Sequence, residues 1–440
     1  MTKRALTILL AVLTVLLAAA VGFVVYMETR PVVEEVIQTE PTTISTEAPT
    51  ETTEIPTTAA PETEAHTTVP PTETEPEETE PPEIRYTLTF TGDCTLASDP
   101  GNFGSPHGFI GTIGTDYDYP FRNVADIFEN DDFTIINLES VLADSGTGAS
   151  KLFTFRGPTA YTQIMTGSSV EAVTLANNHT EDYGKAGYES TTQALNEAGI
   201  WYVEEDKTTL VTTESGLTIG LYADAFNFSK SDIQKNVKKL RDQGAEIIIC
   251  AFHWGNEGSY RPTNDQKAFA KAAIDAGADI VYGHHPHVLQ PIEEYNGGYI
   301  FYSLGNFSFG GNHFPRDMDS AIVQVKVLRD ENGKVHLDGL NIIPVSISSM
   351  KGQNNFQPIP YEEGTTEYDR TMSKLDGTFT GPDLVVNYDH LKETEPATEP
   401  PAQEGGEDTP PATDAPPAEE PPAAEPPAEN PPADNTPDPS

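Results

Sequence analysis

The sequence predicts an α/β fold, and three observations carry that expectation. Between Ile84 and about Lys392, short apolar strands alternate with amphipathic helices. Successive strands in that region end in Asp, Glu, Asn or His, where an open α/β sheet presents its ligands, beyond the carboxyl ends of the strands. On either side the pattern stops: 25 of the 37 prolines fall in residues 31–83 and 393–440, which carry 14 and 13 acidic side chains and no Lys or Arg. With almost no large apolar side chains to offset the entropy of ordering, these two stretches read as a disordered Thr/Glu/Pro linker and a disordered Pro/Ala/Glu tail. Residues 84–392 are therefore expected to form one folded domain.

The elements follow in order. After Lys3 and Arg4, an apolar run from Ala5 to Tyr26 is long enough to cross about 30 Å of hydrocarbon as a helix, with the two basic residues held inside. Residues 1–30 are thus expected to anchor the chain in a membrane as a single pass, leaving the rest outside the cytoplasm; the competing reading is a signal segment cleaved near Ala18–Ala20, which would release the protein. Arg85 to Thr91 alternates Tyr86, Leu88 and Phe90 with polar residues and ends at Gly92-Asp93. Phe133–Asn137 ends at Glu139, Ala172–Leu175 at Asn177-Asn178-His179, Glu246–Phe252 at His253, and Ile280–Tyr282 at Gly283-His284-His285-Pro286-His287. Helices are expected over 123–129, 184–198, 231–243 and 263–276, with Gly199, Gly244 and Gly277 as stops. From Ile292 to about Pro344 strands and tight turns predict a second, mixed or antiparallel sheet packed on the first.

Charge and cysteine content limit the function. A net charge of −44 repels phosphate backbones, so nucleic acid is excluded as a partner. Two cysteines cannot build a disulfide framework, and folding must rest on an apolar core. Cys250 reads as core, and no Cys-His pattern supports Cys94 as a nucleophile.

Seven ordered motifs carry a resemblance. TGDCTL (91–96), INLESVL (136–142), FTFRGP (153–158), LANNH (175–179), HWGNE (253–257), GHHPHVLQ (283–290) and SLGNFSF (303–309) resemble the motif set of the CapA-type capsule or poly-γ-glutamate synthesis proteins. That family is similar in turn to the calcineurin-like metallophosphoesterases. The resemblance implies a four-layer α/β/β/α sandwich and a bacterial cell-envelope role. It also implies an anionic polymer, poly-γ-glutamate or similar, as partner, with a membrane synthase complex as a further candidate.

The resemblance implies a metal site as well. Mixed carboxylate, amide and imidazole ligands suit one or two divalent ions such as Mn²⁺, Zn²⁺ or Fe²⁺. Glu139 would bridge, Asn178, His253 and His285 would complete one metal, and Asp93 and His287 would fall to the other. Thr95 stands where metallophosphoesterases carry a histidine ligand. His179 matches a catalytic histidine beside the metals, with Glu181 or Asp182 in place of the acidic residue that normally follows. Asp93 shares the catalytic set, and Arg156, with its planar fork, is the candidate clamp for a carboxylate or phosphate. Glu257 divides evenly between a supporting and a surface role, His284 reads as packing or hydrogen bonding, and Trp254 as a pocket wall. Lys151, Arg122, Arg156 and Arg261 are the basic residues nearest the motifs. Two functions remain open: an accessory protein that handles the polymer without turning it over, and a metal-dependent phosphoesterase or γ-glutamyl hydrolase or transferase.

Overall fold

The computed structural model describes residues 82–388 apart from Asn227. The apolar run of residues 5–26, the linker up to residue 81 and the tail 393–440 lie outside the described residues, among which no helix is long and apolar enough to cross a membrane.

In chain order the described elements begin with β1 (Ile84–Thr95), α1 (Phe109–Ile113), α2 (Ala125–Glu129), β2 (Phe133–Leu138), β3 (Val141–Leu142) and β4 (Arg156–Gly157). There follow α3 (Thr162–Thr166), β5 (Ala172–Thr174), α4 (Gly184–Ala198), β6 (Trp201–Val203), β7 (Lys207–Thr212) and β8 (Thr218–Ala225). Next come α5 (Lys230–Asp242), β9 (Ile247–His253), α6 (Asn264–Asp275) and β10 (Ile280–His284). The remainder is β11 (Ile292–Tyr295), β12 (Gly298–Phe301), β13 (Asn306–Phe309), β14 (Asp319–Arg329), β15 (Val335–Ser346), β16 (Ile359–Pro360) and α7 (Thr366–Leu375). Helix α4 has the bounds its periodicity predicts, and Gly199 stops it at φ +73°, where a side chain would be strained. Helix α6 starts on a capping box, Thr263 accepting from the Gln266 amide while Gln266 returns to the Thr263 amide.

Two sheets share these strands. One runs β16-β15-β14-β1-β2-β5-β6, with β13 also pairing β1; the other runs β11-β12-β10-β9-β8-β7. The expectation that residues 292–344 build a sheet of their own is overturned. Strands β11 and β12 extend the sheet of β10, whereas β14 pairs antiparallel with β1 from Ile84 to Phe90 and then carries β15. The reason is a shared requirement for cover: β1 has both faces buried, and β14, with Ala321, Val323 and Val325 fully buried, covers the flank that β2 leaves open.

Side-chain alternation distributes the core. Ile247, Ile249 and Ala251 of β9 join Tyr86, Leu88 and Phe90 of β1 and Tyr282 of β10 in one cluster fed by both sheets. The intervening Ile248, Cys250 and Phe252 pack instead with Val237 and Leu240 of α5 and Ala270 and Ala273 of α6. On the first sheet, Ile136 and Leu138 meet Phe109, Phe128 and Leu195 from the helices. This period-two switching lets a single strand bind two layers.

The sheets also meet through polar contacts near their carboxyl ends. The Tyr282 hydroxyl of β10 donates to the Thr91 carbonyl of β1 at 2.6 Å, and beside it the Asp93 amide donates to the Gly305 carbonyl at 2.8 Å where β13 joins β1 within the first sheet. Gly92 makes that approach possible, because a Cβ there would stand 2.3 Å from the Gly305 oxygen. Replacing Gly92 with Ala is expected to lower unfolding stability by about 1–3 kcal/mol through overpacking against backbone that cannot yield. A denaturant midpoint equal to that of the unmodified chain would show that the approach is not tight in solution.

Candidate metal centre

Two strand ends of the first sheet and two of the second converge, so the ligand-type residues come from both sheets and not from one open sheet. Strand β1 delivers Asp93, β2 leads to Glu139, β9 ends on His253, and β10 ends on His284 before the turn that carries His285 and His287. That turn is strained: His285 and His287 have φ of +95° and +55°, a conformation that costs a non-glycine residue about 1–3 kcal/mol. Pro286 between them and the surrounding packing hold it in place.

Asp93 is fully buried and sits at the centre of a hydrogen-bond web. Its Oδ1 accepts from Asn137 at 2.9 Å and pairs with His284 Nδ1 at 2.7 Å, while its Oδ2 accepts from the His285 amide at 3.3 Å and lies 3.2 Å from His287 Nδ1. Burial alone would raise this carboxyl, but the hydrogen bonds from His284 and His287 overcome it and hold Asp93 well below the usual carboxylate range. Glu139 behaves in the opposite way. Burial pushes its carboxyl well above the ordinary value against the opposing attraction of His287, and the Asp93 charge pushes the same way. Burial would depress His287, yet Glu139 and Asp93 together carry it up to about 10. His253 and His285 are depressed by burial first and by neighbouring imidazoles next, His285 to about 4.

These groups fit a divalent ion. Asp93, Glu139 and His287 offer three ligand atoms within 4.8 Å of one another, and Glu257, His285 and His287 offer a second such set. Both carboxylate oxygens of Glu139, both ring nitrogens of His253, His284 Nε2 and His285 Nδ1 are buried without a hydrogen-bond partner among the described residues. Leaving such atoms unmatched costs about 1–3 kcal/mol each, and a cation supplies the missing partner for several at once. The neutral His253 and His285 imidazoles and the charged Asp93 are in the protonation state a metal requires, whereas His287 must give up its proton to bind one.

The expected grouping changes in detail. His287 stands in both sets, Glu257 joins a set instead of lying at the surface, and His284 holds Asp93 in place. Asn178 is exposed, and its carbonyl accepts from Lys151 at 2.6 Å. Its neighbour Asn177 is the buried amide, donating to Asn137 Oδ1 and to the Leu138 carbonyl at 3.0 Å each. The residue types were legible, but adjacent asparagines give no sequence signal as to which one turns inward. Thr95, at the position of the missing histidine, is buried with its hydroxyl unpartnered.

Beside the cluster lies a cavity of about 640 Å³ whose walls include Thr95, Glu139, His179 and His287. His179 Nδ1 is 2.8 Å from Asp182 Oδ2, and Asp182 also accepts from the Phe155 amide and pairs with Lys151. Asp182 therefore takes the orienting role, three residues on instead of one. Burial lowers His179 from its ordinary value, with Asp182 opposing, so the ring is neutral at neutral pH and Nε2 is its proton acceptor.

Two expectations about the cavity fail. Trp254 is not a wall: it donates to the Tyr302 carbonyl at 3.0 Å inside the core of the second sheet, and the aromatic walls are Phe153, Phe155, Phe309 and Tyr388. Arg156 does not line the cavity. Its guanidinium lies 4.7 Å from the Phe103 ring and 5.3 Å from the Tyr183 ring, where the flat cation is held by aromatic faces. Arg122 is paired with Asp116 and Arg261 with Asp383. Arg316, which no motif singles out, is the sole Lys or Arg lining the cavity among the described residues.

The chain resembles known proteins over much of its folded region. The family model described as "Bacterial capsule synthesis protein PGA_cap" matches residues 87–311. The chain is 32% identical over 292 residues to the capsule biosynthesis protein CapA of Bacillus anthracis, covering 60% of this chain and 68% of that protein. It is 29% identical to the PGA biosynthesis protein CapA of Bacillus subtilis (strain 168), covering 59% of this chain and 74% of that protein. Among solved structures, the NAD nucleotidase of Haemophilus influenzae covers 71% of this chain and 66% of its own at 12% identity and a TM-score of 0.35, a likeness on which no argument rests.

Two outcomes follow from the electrostatics. Replacing Asp182 with Asn removes the charge that supports the His179 proton, so the His179 imidazole is expected to titrate below its value in the unmodified protein; an unchanged or higher NMR titration midpoint would place the dyad wrongly. In the metal-free protein His287 holds a proton near neutral pH, and a cation must displace it. Affinity for Mn²⁺ is therefore expected to tighten as pH rises from about 6 to about 8, with proton release in calorimetry. An affinity independent of pH would put the ion elsewhere.

Proposed function

The chain belongs to the bacterial capsule synthesis protein family, and from that premise we propose that it handles a poly-γ-glutamate-type polymer at the cell surface through the cavity beside Asp93, Glu139 and His287. The observation that carries this reading is the set of buried, unpartnered ligand atoms around Glu139, which itself lines that cavity. The two sheets with helices against their outer faces are read as the four-layer α/β/β/α sandwich of a metallophosphoesterase-like domain over residues 84–392. Mn²⁺, Zn²⁺ or Fe²⁺ suits the ligands, as one ion or two, with His287 common to both sets. Residues 5–26 would tether the domain to the membrane through the acidic linker, beside a membrane synthase complex, and the net charge leaves nucleic acid out.

A second reading, hydrolysis or transfer at a γ-glutamyl amide or a phosphoester, has its own support in the His179–Asp182 pair on the cavity wall. A bound divalent ion would supply Lewis-acid polarisation of a carbonyl or phosphoryl oxygen. The residues' own share is separate. Asp182 fixes the His179 tautomer, His179 Nε2 accepts or returns a proton across the cavity, and Phe153 and Phe155 limit water on that side.

One experiment separates these readings. The full chain, stripped and reloaded with Mn²⁺, is assayed for metal content, poly-γ-glutamate binding, and turnover of that polymer and of a phosphodiester. Glu139→Gln is expected to weaken Mn²⁺ binding by about 100-fold or more, since it removes a charged ligand where even outer partners are worth about 10–100-fold. Polymer binding without turnover supports the accessory role; turnover cut by about 10²–10⁴ in His179→Ala supports the hydrolase. A chain that binds neither metal nor polymer contradicts both.

A further inference from the structure

The cavity is covered by the chain's own C-terminal segment. Residues 383–388 run across it as an extended peptide fixed at both ends. At the start, Asp383 accepts from Arg261 at 2.6 Å and from the Tyr260 amide at 3.0 Å. The Leu384 amide then donates to the Gly258 carbonyl at 2.9 Å, and the Val385 carbonyl accepts from Arg316. At the far end the Tyr388 hydroxyl donates to Glu257 at 2.6 Å, and its ring meets Phe153 edge-on at 5.3 Å.

Three features mark this segment as a removable occupant and not as part of the core. Its apolar hold is partial, with Leu384 and Val386 half-buried, Val385 76% exposed and Tyr388 36% exposed, so only limited apolar area resists its release. Two of its contacts are those of an amide backbone: the Leu384 N–H given to the Gly258 carbonyl and the Val385 carbonyl accepting from the Arg316 guanidinium. It also engages two groups the site needs, Arg316, the cavity's sole Lys or Arg, and Glu257, a member of one ligand set. An extended polyamide bearing carboxylates presents the same backbone groups and adds an anion for Arg316.

We propose that residues 383–388 are a built-in competitor that fills a groove for an extended amide-backbone polymer, and that the polymer displaces them from Arg316 and Glu257. The identity of the polymer rests on the preceding reading; the existence of the groove does not. Gly258 is shaped for such a chain, since a Cβ there would stand 2.8 Å from the Leu384 carbonyl oxygen.

The test compares the unmodified full chain with the full-length double variant Asp383→Ala/Tyr388→Ala, which frees both ends of the segment. A cover closed about nine-tenths of the time weakens apparent affinity about tenfold, so the variant is expected to bind poly-γ-glutamate about tenfold more tightly. In the unmodified chain the polymer should also accelerate hydrogen exchange at the Leu384 amide. A synthetic peptide of residues 380–388 should bind the variant and compete with the polymer, and Arg316→Gln in the variant background should weaken both ligands. Unchanged or weaker polymer affinity in the variant, or a Leu384 amide still protected with polymer bound, would overturn the proposal. If neither chain binds the polymer, the poly-γ-glutamate reading fails, and the peptide decides the groove: Arg316-dependent peptide binding upholds it, and absence of peptide binding overturns it.

Discussion

Asp93, Glu139 and His287 bring three ionisable side chains within reach of one another where two of them are almost wholly cut off from water. Burying carboxylates side by side is among the most costly arrangements a protein interior holds: burial first and the Asp93 charge after it drive Glu139 up, while hydrogen bonds from His284 and His287 keep Asp93 charged. Everything around the cluster serves to contain that charge. Asn137 and His284 hold Asp93, Asn177 in turn holds Asn137, and the strained turn at His285 and His287 is kept by contacts from both sheets. A fold does not retain such a cluster for stability, since well-packed apolar residues would do better; a cation that supplies the missing positive charge gives the cluster its reason.

The two sheets matter because of what each contributes. Carboxylates come from the first sheet, Asp93 on β1 and Glu139 after β2. Imidazoles come from the second, His253 on β9 and the His285–His287 turn after β10. Glu257, His285 and His287 all follow strands of the second sheet, but the Asp93–Glu139–His287 set draws on both, so that set depends on the register of one sheet against the other. The Tyr282 hydroxyl of the second sheet on the Thr91 carbonyl of the first ties the two together next to the metal-type residues. Packing in the shared core and geometry at the site are thereby coupled.

Much of this was legible in the chain itself. Helix α4 and the strand ends follow from periodicity and from the punctuation of glycines, because those signals are local. The two missed features are non-local. Residues 292–344 look like one sheet along the sequence, but β14 finds β1 across more than 200 residues, and no local pattern records that partner. Strand β8, whose run includes Gly220 and the buried Asp224, was hidden by its own composition. At the site, residue types were readable and orientations were not: Asn177 turns inward and Asn178 outward, Asp182 reaches His179 from three positions on, and Arg156 is spent between two rings. Glu257 and Tyr388 meet at 2.6 Å across 131 positions, so the cover over the cavity had no signature in the linear chain.

The central claim is that the convergence of the two sheets exists to hold a divalent cation. Anomalous diffraction from crystals of the protein equilibrated with Mn²⁺ tests it most directly. The account predicts one or two strong anomalous peaks within coordination distance of Asp93, Glu139 and His287, with a second peak, if present, shared between His287 and the Glu257–His285 side. No peak at saturating Mn²⁺, or a peak away from these residues, would contradict it.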